Sequence, residues 1–223
     1  MNVAVLQFLG TNCEYDTKWA FEQLGAKATV IWHQDTQIPV GTDLVVIPGG
    51  FSYGDYLRSG AIARFANIMK SVSEFAAKGG KVLGICNGFQ ILLEAGLLPG
   101  AMKRNDTLHF ISRHHNLTVV NNNNAFLQEC KVGEVLNIPV AHHDGNYYID
   151  SDGLAELYAN EQVLLKYCDK DGNPISMNGA VDHIAGICNK QKNVFGLMPH
   201  PERAMQELLG SSDGVRMLQG FFK

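Results

Sequence analysis

The sequence predicts an α/β fold built on a doubly wound, mostly parallel β-sheet with an additional antiparallel part. Three observations point there. Short apolar runs alternate with helix-spaced segments through the first half of the chain. Several of those runs end in glycine turns, as at Gly49-Gly50 and from Gly84 to Gly88. The composition, 46% hydrophobic and 18% charged over 223 residues, suits a single domain spanning residues 1–223 with a substantial core.

The elements follow in order. Val3 to Phe8 reads as a buried strand. Glu14 to Leu24 has helical spacing, with Trp19, Ala20 and Leu24 on one face and Gly25 as the stop. Ala28 to Trp32 is a second strand, and Leu44 to Pro48 a third, closed by Gly49-Gly50. A helix is predicted from Gly60 to Lys78, with Ile62, Phe65, Ile68, Met69, Val72 and Phe75 as its apolar stripe. Gly79-Gly80 ends it, and a strand at Lys81-Val82-Leu83 runs into Gly84-Ile85-Cys86-Asn87-Gly88 and the helical Phe89 to Leu93. The middle is less regular. Leu117 to Val120, Val135 to Ala141 and Val163 to Tyr167 read as strands of the antiparallel part, with Asn121 to Asn124 a turn or exposed loop. Val194 to Met198 is another strand, and a helix capped by Asp213 closes the chain.

Composition excludes several function classes. A formal charge of -4 argues against nucleic acid or anionic membrane as partner. No apolar run approaches the roughly 18 residues of a membrane span. The N-terminal Met1 to Leu6 has no basic region and reads as a strand, not a signal peptide. The five cysteines, Cys13, Cys86, Cys130, Cys168 and Cys188, are odd in number and contain no C-x-x-C. That argues against a disulfide framework and a metal site, and predicts a cytoplasmic protein. Neither G-x-x-x-x-G-K-[ST] nor G-x-G-x-x-G occurs, so no nucleotide cradle is expected in this chain.

The chemistry concentrates at Cys86. A strand, a tight turn flanked by glycines and a helix make a nucleophile elbow. The turn lifts one side chain above the sheet edge and sets it at a helix N-terminus, where partial positive charge favours a thiolate. A thiol nucleophile needs a base and a group that orients the base. His33, His109, His114 and His115 lie in polar segments and read as solvated. His200 ends a buried strand, is flanked by Pro199 and Pro201, and has Glu202 two positions on. In extended chain those two side chains point to one side. Cys86, His200 and Glu202 are therefore a complete catalytic triad by residue type. Backbone N–H groups at Gly49-Gly50 and at Asn87 are the candidate donors for a developing oxyanion.

Pro48-Gly49-Gly50, Gly84-x-Cys86-x-Gly88-x-Gln90 and His200-Pro201-Glu202, in this order and at this spacing, resemble the class I glutamine amidotransferases. The blocks Pro48 to Phe65, Val82 to Leu92 and Gly196 to Ala204 are similar to one branch of that family, which serves purine biosynthesis. The resemblance covers nearly the whole chain. It implies a flavodoxin-like amidotransferase fold and hydrolysis of glutamine through a cysteine thioester. It makes Cys86 the nucleophile, His200 the base, Glu202 its orienter, Gly50 and Asn87 oxyanion donors, and Gly49 and Gln90 part of the glutamine site. It implies no cofactor in this chain: ATP and Mg are expected on a larger synthetase subunit, often joined by a third small subunit, to which the ammonia passes. Where the family usually reads His-Gly-Glu-Gly, this chain has His142-His143-Asp144-Gly145, which leaves Asp144 without an assigned role. Arg58 and Arg64 read equally as docking residues or exposed helix-end arginines.

Three alternatives stay open on the residues. A cysteine hydrolase of the peptidase or deglycase type shares the elbow, but does not account for Gln90, His200-Pro201-Glu202 or the Phe51 to Phe65 block. An amidotransferase serving a different synthetase would lack that block. A non-catalytic regulatory subunit would not need an intact triad.

Overall fold

The computed structural model describes all 223 residues. In chain order the elements are β1 (Asn2–Gln7), α1 (Glu14–Gln23), β2 (Lys27–Trp32), β3 (Leu44–Ile47), α2 (Asn67–Ala77), β4 (Lys81–Ile85) and α3 (Asn87–Glu94). There follow β5 (Ala101–Lys103), β6 (Ile111–Val119), β7 (Val135–His142), β8 (Asn146–Tyr148), α4 (Ser151–Ala159), β9 (Val163–Cys168), β10 (Ile184–Cys188), β11 (Val194–Leu197) and α5 (Asp213–Gln219).

A nine-stranded sheet in the order β2-β1-β3-β4-β11-β10-β9-β6-β7 forms the frame, and β5 and β8 pair in a small second sheet. From β2 to β11 the neighbours are parallel; from β11 to β7 they are antiparallel. The antiparallel part predicted from the middle of the sequence thus continues the same sheet. The central parallel strands β3, β4 and β11 are buried along nearly their whole length, as expected for strands covered on both faces, while β2 at the sheet edge alternates between buried and exposed residues. Their apolar side chains enter a core cluster of 56 residues. β1, β3, β4 and β11 run in one direction, so their carboxyl ends share one edge, where ligands gather in open α/β sheets.

The predicted helix over residues 60–78 is broken. A 3₁₀ turn at Ala63–Phe65 precedes an extended Ala66 (ψ 146°), and α2 begins only at Asn67. The amide of Ile68 donates to the His33 carbonyl and Asn67 Nδ2 to that of Gln34, which docks the start of α2 on the loop after β2. Phe65, assigned to the apolar stripe, is 72% exposed for this reason. Asp213 is not the cap of α5 but its first residue; its carboxylate accepts from the amide of Asn137 on β7 and from Arg216. β6 begins at Ile111, six residues before the predicted start of its strand at Leu117, because it pairs with β7 from Ile111 to Thr118 through a polar, exposed half. The short β5 and β8, α4 and β10 have no counterpart in the sequence reading. β10 is joined to β11 by a turn in which the Asn189 side chain accepts from the amides of Asn193 and Val194. No helix is long and apolar enough to cross a membrane.

Candidate active site

The shared strand edge carries the predicted residues. β4 ends at Ile85, and Cys86 turns the chain into α3 with φ 52° and ψ -107°, a conformation L-residues rarely adopt. The tightness of the elbow depends on two glycines. A β-carbon at Gly88 would lie 1.8 Å from the Ile47 carbonyl oxygen, and one at Gly84 would lie 2.7 Å from the Gly88 backbone. α3 therefore packs its first turn directly on β3, with the free N–H groups of that turn facing the strand edge.

Gly49-Gly50 lies beside the elbow. Gly49 carbonyl accepts from the amides of Asn12 and Cys13, while the Gly50 N–H makes no backbone hydrogen bond. Gly50 has φ +146°, and any side chain there would meet the backbone of residues 10–12. The result is an unpaired donor held rigidly near Cys86.

His200 follows β11 and is 2% exposed; its Nδ1 is 2.7 Å from Glu202 Oε1. The contact predicted between them exists, but by a different route. His200 (φ -108°, ψ 83°) leads into a 3₁₀ turn over Pro201–Arg203, so the carboxylate closes back on the ring across a tight turn and not along extended chain. Burial alone would lower the histidine's pKa; the Glu202 carboxylate and the Cys86 thiol outweigh it and hold it well above its usual value. Nε2 of His200 and Oε2 of Glu202 have no partner. The Cys86 thiol donates to the Ala141 carbonyl at 3.6 Å, and Cys86 is also among the neighbours that raise the His200 pKa.

A second thiol, overlooked in the sequence, stands at the same histidine. Atoms of Cys13, His200 and Glu202 lie within 4.8 Å of one another, all three residues buried. A β-carbon at Gly49 would be 2.8 Å from His200 Cε1, 3.0 Å from Cys13 Sγ and 3.5 Å from Cys86 Cβ, so Gly49 is the space the three share. Cys13 heads α1 as Cys86 heads α3: β1, Gly10 and a cysteine before a helix repeat the strand–turn–helix pattern. That repetition was the available signal. Burial raises the Cys13 pKa and so favours its neutral thiol. By residue type the cluster suits a soft cation, but the Arg203 guanidinium sits 3.2 Å from the Cys13 sulfur and opposes one.

Cys86 opens on a cavity of about 380 Å³ lined also by Gly50, Asp55, Gln90, Arg104 and Asp144. A larger groove of about 860 Å³ beside α2 carries no cysteine or histidine. Asn87 and Gln90 are joined by an amide–amide hydrogen bond of 2.8 Å, and Gln90 Nε2 donates to the Asp144 carbonyl. Asn87 Oδ1 accepts from the Ser52 amide, tying α3 to the loop after Gly50. Arg58 grips Glu94 with two hydrogen bonds, and Arg64 reaches the Glu94 carbonyl, so both are bound to the end of α3. His33, expected to be solvated, is buried and joined to the Tyr53 hydroxyl at 2.8 Å.

The profile of the CobB/CobQ-like glutamine amidotransferase domain matches residues 1–214. The chain is 65% identical over 223 residues to phosphoribosylformylglycinamidine synthase subunit PurQ of Sulfurimonas denitrificans, covering all of both chains. It is 63% identical over 220 residues to the subunit of the same name from Wolinella succinogenes, covering 99% of each. Among solved structures, a chain of PurLQS from Thermotoga maritima superposes with TM-score 0.89 and 39% identity, over 99% of this chain and 97% of that one. A glutamine amidotransferase from the same organism shares the fold, with TM-score 0.60 and 17% identity over 91% of this chain and 76% of that one. By this domain match and these identities, the chain belongs to the CobB/CobQ-like glutamine amidotransferases and, among them, to the PurQ family of phosphoribosylformylglycinamidine synthase subunits.

Proposed function

We propose that this chain is the glutaminase component of phosphoribosylformylglycinamidine synthase, acting in purine biosynthesis in the cytoplasm as a single amidotransferase domain. The observation that carries the reading is the elbow thiol at the head of α3, beside a buried His200–Glu202 pair and the unpaired N–H of Gly50. In this reading the Cys86 proton passes to His200 Nε2, and the thiolate attacks the side-chain carboxamide carbon of glutamine. The N–H groups of Gly50 and Asn87 receive the oxyanion. His200 then protonates the departing nitrogen, which leaves as ammonia. Water, deprotonated by the same ring, hydrolyses the thioester to glutamate and restores the thiol. Glu202 supports the imidazolium each time it forms. Gly49 leaves room for His200, and Asn87 with Gln90 shapes the wall on which glutamine rests.

Ammonia is useful only if it reaches a synthetase. The partners supported by the PurLQS likeness are a synthetase subunit and a small third subunit, and we assign ATP and Mg to the synthetase. The test is Cys86→Ala in the reconstituted complex. Synthesis from glutamine should vanish, while synthesis from added ammonium salt should persist. Retained glutamine-dependent synthesis would overturn the assignment of the nucleophile.

A further inference from the structure

The His200 ring is tied by one hydrogen bond. Glu202 holds Nδ1, while Nε2 has no partner. One such bond fixes one atom of a ring and leaves the ring free to tip about that contact. Beside Cε1 stands Cys13. The Cys13 sulfur and His200 Cε1 lie 3.0 Å and 2.8 Å from the point that a β-carbon of Gly49 would occupy, so the two border one small space. Both residues are buried. The sulfur is itself held from two sides. Its proton points at Asn12 Oδ1, 3.1 Å away, and Arg203 Nη2 donates to it at 3.2 Å. Arg203 is anchored in turn by Asp16, whose Oδ2 accepts from Nε at 3.0 Å and lies 2.9 Å from Nη2. Cys13 and Asp16 stand at the head of α1, the first as its cap residue, and Arg203 ends the 3₁₀ turn that carries Glu202. The Cys13 amide also donates to the Gly49 carbonyl, which ties the same helix head to the Gly49-Gly50 turn.

Asp16, Arg203, Cys13 and His200 thus form one line from a half-exposed ion pair to the buried base. Packing alone would be met by any small apolar residue at position 13. It does not call for a guanidinium on the sulfur or a carboxylate behind the guanidinium. We propose that Cys13, braced by Arg203 and Asp16, is a positioning residue that keeps His200 Nε2 directed at Cys86, so that α1 governs the base together with the Glu202 turn. The inference rests on the glutaminase reading and adds a residue to it. Nε2 takes the Cys86 proton and later gives one to the departing nitrogen, and each transfer needs hydrogen-bond reach. A ring held at Nδ1 and walled at Cε1 keeps Nε2 in one place through both. The brace has an electrostatic consequence as well. Burial lowers the His200 pKa; Glu202, Cys86 and then Cys13 raise it. The other charged or titratable neighbours are Arg203 on the same turn, whose charge Asp16 offsets, and His142 on β7; both disfavour the imidazolium.

The test is glutamine turnover by the complex with the synthetase, measured across pH. Cys13→Ala should lower kcat at least about tenfold with KM within about twofold, since misplacement by about 1 Å costs on the order of 100-fold. The low-pH loss of kcat/KM should move to lower pH, because a group that raises the His200 pKa is gone and a protonated His200 cannot take the Cys86 proton. Cys13→Ser, whose hydroxyl accepts from Arg203 and donates to Asn12, should recover part of the rate and return the profile toward its original position. Asp16→Asn loosens Arg203 from outside the site and should lower kcat by less. The double variant should be no slower than Cys13→Ala alone, since groups in one line do not act independently. A Cys13→Ala variant with kcat and the low-pH limb unmoved would overturn the inference. A loss of kcat with the limb in place would make Cys13 a packing residue and overturn it equally. If Cys13→Ala does not fold, Asp16→Asn decides: turnover and profile equal to those of the unaltered chain would overturn the brace, as would losses that add in the double variant. Absence of glutamine turnover in the unaltered complex would overturn the glutaminase reading, and this inference with it.

Discussion

Gly88→Ala tests the elbow itself. A β-carbon at this position would stand 1.8 Å from the carbonyl oxygen and 2.6 Å from the carbonyl carbon of Ile47, both backbone atoms of β3. Ordinary contact begins near 3.4 Å. The first turn of α3 and the end of β3 must therefore separate by roughly 1.5 Å, since neither atom belongs to a side chain that can swing away. The stability cost falls at the upper end of the overpacking range, about 3 kcal/mol. A domain of this size retains a folded majority after such a loss. Catalysis suffers more. The separation moves Asn87 N–H and Cys86, on α3, away from Gly50 N–H, which follows β3, and misplacement by about 1 Å costs on the order of 100-fold. The assay is glutamine turnover in the presence of the synthetase, with a urea titration alongside. Gly25→Ala is the matched control: its β-carbon meets nothing within 4 Å, so only the strain of φ +88° remains, about 1 kcal/mol. Turnover within about threefold of the unaltered chain and an unchanged urea midpoint for Gly88→Ala would refute the reasoning that this glycine closes the elbow.

Three further outcomes are expected. Burial lowers the His200 pKa and Glu202 raises it, so Glu202→Gln should let it fall and move the low-pH loss of kcat/KM, where a protonated His200 cannot take the Cys86 proton, to lower pH, with a drop in kcat of about 100-fold; an unmoved profile would remove the orienting role. Burial raises the pKa of Cys13, takes those of Cys130 and Cys168 to about 11 and takes that of Cys188 to about 12, so iodoacetamide at pH 7.5 should modify Cys86 first, and prior modification of any other cysteine would contradict the site assignment. Glutamine hydrolysis should be slow in the isolated chain and rise at least tenfold when a nucleotide-loaded synthetase docks and settles the loop from Phe51 to Ser59; equal turnover with no complex by sedimentation would favour an independent hydrolase.

The sequence by itself determined the parallel half of the fold and singled out Cys86, His200 and Glu202 as one candidate site. Both are local in origin. β1, β3 and β4 are apolar runs bounded by glycine or proline, and the Gly84 to Gly88 elbow is written in consecutive residues. His200 and Glu202 are two positions apart, so their pairing required no knowledge of the fold, although a 3₁₀ turn and not extended chain brings them together. The elements that escaped reading lack a local signature. β5 and β8 are three residues each, the outer half of β6 is polar, and β10 is an apolar run interrupted by Gly186 that becomes a strand between β11 and β9. The break before α2 comes from hydrogen bonds to His33 and Gln34, more than 30 residues earlier. The same distinction runs through the site. Cys13 meets His200 across 187 positions, and Asp55 shares a cavity with Asp144 across 89, because β1, β3, β7 and β11 deliver the loops that follow them to one sheet edge. Periodicity fixes which side chains are buried; only the order of strands in the sheet fixes which loops converge, and with them which charges and thiols must share one cavity.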